Sequence, residues 1–150
     1  MLSFQNSKLP KLPSGFLLDL KESPSPEALN RLLARCFGET HPPRRLALAL
    51  KQSYCNASIK DEKTGRLVGF VRITSDKGLN ANLWDLAVEP GNYQKQLIAV
   101  LVNKSLGIIR KELPGCSVSL AAPAIAFEAL QSQGFLLDPN GIRAMTYQFR

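Results

Sequence analysis

The chain has one histidine, His41, and three widely spaced cysteines, Cys36, Cys55 and Cys116. A single histidine cannot supply a ligand cluster, and no two of these cysteines have metal-ligand spacing, so no metal site is expected. An odd, scattered set of thiols points to a reducing compartment rather than a disulfide framework. No run of about 18 apolar residues occurs, so no membrane-spanning helix is expected. The first residues lack a basic stretch followed by an apolar one, so no signal peptide is expected either. There is no internal repeat and no low-complexity tract. No Lys/Arg-dense run is interleaved with aromatics and no groove-reading motif occurs, so nucleic acid is not an expected partner.

What is present fits one domain with a real core. The length is 150 residues, with 45% hydrophobic and 21% charged content, ordinary for a globular protein. The formal charge of +7 is either a solubilising surface or an attraction to an acidic partner or polyanion. Residues 1–13, with Lys8, Pro10, Lys11 and Pro13, have little periodicity and read as a flexible N-terminal arm before a single domain over 14–150. A short strand is expected over 15–20. Ser25 is a natural N-cap with Pro26 at the first helical position, Leu29, Leu32, Leu33 and Phe37 as the buried face, and Gly38 as the stop. A second helix over 44–53 packs Leu46 and Leu50. Strands over 54–60 and 66–74 flank a hairpin turn.

The stretch 83–110 organises the rest. Leu83 to Val88 is apolar and β-prone, and Glu89 before Pro90 is pushed out of helical geometry. Apolar residues then recur at 97, 98, 101, 102, 106, 108 and 109, close to helical period, with Asn92 as a plausible N-cap. The unit is strand, tight turn, helix N-terminus. Unpaired backbone N–H groups and the positive end of a helix dipole gather there, which suits a phosphate. Pro114-Gly115 ends this helix. A strand over 117–121, a helix opened by Pro123, and strands over 135–137 and 144–149 are expected to complete the sheet.

Gly69-Phe70-Val71-Arg72-Ile73-Thr74-Ser75-Asp76 and Asn80 to Pro90 resemble the centre of a GCN5-related N-acetyltransferase (GNAT). More narrowly, they are similar to the plant plastid and cyanobacterial group that includes the serotonin N-acetyltransferases. The likeness continues in Ser132-Gln133-Gly134-Phe135 and Asp138-Pro139-Asn140-Gly141-Ile142-Arg143, and covers roughly residues 42–150. It implies an α+β GNAT (acyl-CoA N-acyltransferase) fold, a mixed central sheet with helices on both faces. It also implies transfer of acetyl from acetyl-CoA to an amine on a protein or a small arylalkylamine.

Such a site must hold acetyl-CoA, polarise the thioester carbonyl and manage protons. The family's pyrophosphate loop, Gln/Arg-x-x-Gly-x-Gly/Ala, aligns without a gap on Tyr93, Gln96 and Ile98. With one inserted residue it aligns on Gln94, Leu97 and Ala99. Both alignments lose the first glycine, so the turn over 90–98 is expected to be narrow where a phosphate would sit; a plain core helix is the alternative. Backbone groups of Leu86, Ala87 and Val88 are the implied carbonyl contacts. Asp85 is the implied general base, since a carboxylate beside Trp84 on an apolar strand suits proton uptake; a hydrogen-bonded strand carboxylate is the alternative. Asp138 matches the acid of the family's Asp-Pro-x-Gly-Ile segment, though Asp-Pro-Asn-Gly is also strong turn chemistry. Trp84 is either core or a wall for substrate. Where the family often has a thiolate-protonating tyrosine, this chain has Leu130, leaving Tyr147 or Tyr93 as substitutes.

The reading is an N-acetyltransferase, soluble in the cytoplasm or plastid stroma of a photosynthetic source. The alternative is a catalytically degenerate GNAT-fold protein that serves as a binding or regulatory partner.

Overall fold

The computed structural model describes residues 8–149. Residues 1–7, half of the expected arm, lie outside the described residues. The remainder is tied to the domain: Leu12 packs partly buried against the core, and the Lys11 carbonyl accepts from Gln96 Nε2 at 2.9 Å.

The elements run β1 (Phe16–Asp19), α1 (Pro26–Phe37), α2 (Pro43–Gln52), β2 (Cys55–Asp61), β3 (Leu67–Ser75), β4 (Asn80–Val88), α3 (Gln94–Glu112), β5 (Ser117–Ser119) and α4 (Phe127–Ser132). Strands β1 to β4 form an antiparallel meander in sheet order, and β5 joins β4 in parallel. α3 covers one face, over a core that includes Ile59, Val71, Leu83, Leu86, Val88 and Leu101. α1 and α2 cover the other, over Leu29, Leu32, Leu46, Phe70 and Ala87. This is the α+β layering expected, a mixed sheet with helices on both faces.

Local chemistry accounts for most boundaries. Ser25 Oγ accepts from the Ala28 N–H at 3.1 Å, and Gly38 closes α1 at φ +70, which a glycine adopts without strain. Asp76 accepts from the N–H groups of Gly78, Leu79 and Asn80, which folds the β3–β4 turn and draws the Asp76 carboxyl well below its usual range.

Four expectations need correction. Phe37 is exposed rather than buried, because it is the last residue of α1 and lies beyond the turn that meets the sheet. Asn92 does not cap α3; Tyr93 occupies the cap position without a side-chain bond, and Gln94 Nε2 instead donates to the Val88 carbonyl at 3.0 Å. β5 is three residues long, not five. The strands expected over 135–137 and 144–149 do not form, and Met145, Tyr147 and Phe149 are exposed. Asp138, Asn140 and Gly141 all hold positive φ around Pro139, which breaks the chain, and a three-residue edge strand offers little ladder to pair with.

Candidate active site

The site is built on an irregularity in β4. Phe70 pairs with Ala87 and Arg72 pairs with Trp84, so Val71 alone faces both Asp85 and Leu86. This is a β-bulge, and Asp85 carries it at φ +55. The extra residue changes side-chain parity. Leu83 and Leu86, three apart, both enter the α3 core, while Trp84 and Ala87 both face the α1/α2 side.

On that second face a polar row crosses the sheet. Asn56 on β2 pairs with Arg72 on β3, which pairs with Trp84 on β4. The next row is Thr74, Asn82 and Ser119. Trp84 is 44% exposed, not core, and its indole N–H donates to Thr74 Oγ1 at 2.7 Å. Asn82 Nδ2 donates to Ser119 Oγ at 2.7 Å. The Asp85 carboxylate is ion-paired: Arg72 Nε lies 2.9 Å from Oδ2. The sequence left open a base beside Trp84 or a hydrogen-bonded strand carboxylate; the cross-strand register gives the carboxylate a hydrogen-bonded cation.

β4 and β5 diverge. They pair only over Asn80–Asn82 and Ser117–Ser119, so among the described residues β4 has no strand partner on that edge from Leu83 onward. Leu86, Ala87 and Val88 are buried by side chain, which leaves their backbone as the chemistry they offer. Beyond them, the N–H groups of Asn92, Tyr93, Lys95 and Gln96 have no acceptor among the described residues, as expected at the open end of a helix. Leu97 and Ile98 turn their side chains into the core. The Gln96 side chain reaches back to Lys11, Tyr93 stacks edge-on against Phe16 at 5.4 Å, and the Ala99 carbonyl accepts from Gln133.

Other sequence candidates stand apart from this cluster. Tyr147 is 81% exposed in the C-terminal segment, edge-on to Phe149. Asp138 pairs with Arg143 at 3.4 Å within its own turn. Leu130 is buried against α3, so its position is a packing position here. Burial pushes the Cys36 and Cys55 thiols up to about 11, so neither presents a thiolate at neutral pH. Among the described residues no group of three or more His, Cys, Asp or Glu could hold a metal, and no helix is long and apolar enough to cross a membrane. Sequence reasoning missed Arg72, Ser53 and Thr74. Arg72 and Thr74 alternate along β3 within the stretch that carries the resemblance, and Ser53 closes α2, but none of these signals reveals a cross-strand partner.

No family model matches the chain. It is similar to the histone acetyltransferase TAP1 of Glycine max, 34% identical over 113 residues, covering 69% of this chain and 48% of the relative. It is also similar to the chloroplastic GCN5-related N-acetyltransferase 2 of Arabidopsis thaliana, 32% identical over 122 residues, covering 69% of this chain and 47% of that one. The chain thus spans about half the length of the curated relatives it matches. Among solved structures, a probable acetyltransferase, SA2161, from methicillin-resistant Staphylococcus aureus superposes with a TM-score of 0.78 at 19% identity, over 89% of this chain and 99% of that one. A GNAT family protein, SP0256, from Streptococcus pneumoniae gives 0.70 at 19% identity, over 90% and 98%. With the divergent β4–β5 pair, the open helix start and these likenesses together, the chain belongs to the GCN5-related N-acetyltransferase (GNAT) family.

Proposed function

We propose that the chain is an N-acetyltransferase that moves acetyl from acetyl-CoA to an amine. The observation that carries this reading is the β4 bulge. It sets a carboxylate and a half-exposed indole side by side, on a strand whose far edge is unpaired and which runs straight into an open helix N-terminus. In this reading the thioester carbonyl oxygen accepts from a backbone N–H within Leu86, Ala87 and Val88. The amine nitrogen attacks the carbonyl carbon, the C–S bond breaks, and the surplus proton on nitrogen passes to Asp85. The CoA thiolate takes up a proton, for which Tyr147, exposed in the C-terminal segment, is the candidate donor. The free N–H groups of Asn92, Tyr93, Lys95 and Gln96 and the α3 dipole hold the pyrophosphate, with the Tyr93 and Gln94 side chains at its edge. Leu97, Ile98 and Ala99 contribute backbone only. Trp84 forms a wall for the acceptor; Asp138, tied to Arg143 in its own turn, makes no contact with that wall among the described residues.

One relative carries the name of a histone acetyltransferase, so protein amines belong among the acceptors tested beside small arylalkylamines. Chloroplast relatives support a plastid-like origin, with the stroma or cytoplasm as the location. The test is release of free CoA from acetyl-CoA over a panel of amines, with calorimetry of acetyl-CoA binding alongside. Turnover with at least one amine is expected. Neither binding nor CoA release by the folded protein would overturn the reading and favour a binding or regulatory role.

A further inference from the structure

Arg72 makes two polar contacts at once. Its Nε lies 2.9 Å from Asp85 Oδ2, and its Nη1 donates to Ser53 Oγ at 3.3 Å. Ser53 Oγ in turn donates to the Ala49 carbonyl at 2.7 Å, at the C-terminal end of α2. A continuous chain of contacts therefore runs from the end of α2, across β3, to the bulge of β4. The pair is shielded: the side chains of Arg72 and Asp85 are 16% and 21% exposed, so solvent screens them less than a surface pair.

Asp85 needs such support. A non-glycine residue holds a left-handed φ only where its surroundings over-determine it, although aspartate tolerates that region better than most. The two-against-one count at the bulge also leaves Asp85 without a strand residue of its own opposite, so the ladder alone does not aim its side chain.

We propose that Arg72 is the positioning residue of this site: it aims the Asp85 carboxylate from the bulge and couples it to the end of α2. This rests on the acetyltransferase reading, in which Asp85 takes the amine proton. A guanidinium suits the role because its fixed fork reaches Asp85 and Ser53 together, whereas an ammonium is a point charge. A cation near the C-terminal end of α2 also complements the helix dipole.

The test compares native protein with R72Q, R72K, S53A, D85N and the R72Q/D85N double variant, using an accepted amine. R72Q should lower kcat on the order of 10²-fold, the cost of misplacing a reacting group, while KM for acetyl-CoA stays unchanged. R72K should recover part of the loss. On the D85N background R72Q should cost little more, because residues acting as a unit are not additive. S53A removes one contact of the relay, keeps the fold, and should lower kcat less than R72Q. Multiplying losses for R72Q and D85N, or an R72K variant no better than R72Q, would overturn the proposal. A separate readout needs no activity. The Arg72 Nε–H NMR resonance should be protected from exchange in native protein and lose that protection in D85N. If no amine is acetylated, the acetyltransferase reading falls. The resonance then still decides the positioning, and its absence from folded native protein would sink it.

Discussion

The face of the sheet under α3 is apolar along its length, with Ala57, Ile59, Gly69, Val71, Ile73, Ala81, Leu83, Leu86 and Val88. The face under α1 and α2 changes character partway. Phe70 and Ala87 lie in the helix-covered core, and the rows beyond them are Asn56, Arg72 and Trp84, then Thr74, Asn82 and Ser119. β2, β3 and β4 supply both faces, and Ser119 of β5 extends the second. The first face holds the fold together; the second, past the apolar core under α1 and α2, is left with hydrogen bonds, an ion pair and an open indole. The division explains how a bulge can persist in a central strand. It costs the α3 face nothing, since Leu83 and Leu86 both still reach that core, and it opens the other face at Asp85.

The sharpest way to break this division is to remove chemistry from the second face without touching the first. Asp85→Asn should cut turnover by roughly 10²–10⁴-fold, the usual cost of losing a general base, while circular dichroism stays native. Unchanged kcat would take Asp85 out of its role.

Ile98 supplies the converse test. An aligned glycine position suggests that Ile98 crowds a phosphate, yet its side chain lies in the α3 core. Ile98→Ala should therefore cost about 2–5 kcal/mol in urea unfolding, and Ile98→Gly more, with no gain in acetyl-CoA affinity. Gln96→Gly leaves the core alone, although it also removes the bond to the Lys11 carbonyl, and probes the phosphate turn; tighter acetyl-CoA binding by calorimetry is the expected result. A stable Ile98→Gly variant that binds acetyl-CoA better would reverse this assignment.

Smaller effects sharpen the same comparison. A Cβ on Gly69 would lie 3.3 Å from Leu101 Cδ1, so Gly69→Ala should destabilise by about 1–3 kcal/mol through overpacking of the α3 face. Ser25→Ala, remote from both faces, should cost about 1 kcal/mol by removing a helix cap. The smallest signature is chemical. Burial raises the Cys36 and Cys55 thiols in the folded state, so any stability it reflects is complete below their ordinary value near 9 and is lost as pH rises toward about 11. At pH 8 both should react slowly with a thiol reagent until the protein is unfolded; fast labelling of the native protein would contradict their burial.

Much of the fold was legible because its signals are local. Ser25 and Gly38 bound α1 through their own hydrogen bonds and dihedral angles, and the apolar rhythm after Pro90 announces α3. The terminal strands were misread because alternation over 144–149 states only a readiness to pair, and pairing needs an edge in reach. Of the site, the sequence by itself determined which groups could act: the Trp84-Asp85 pair, a strand running into a helix N-terminus, and the lack of glycine at 96. Only the tertiary structure decided how they stand. Register between β3 and β4 put Arg72 against Asp85, the bulge turned Trp84 outward and Leu86 inward, and packing under the sheet took Ile98 away from the turn. These depend on contacts between residues distant in the chain, and no local propensity encodes which residue of one strand will face which residue of the next.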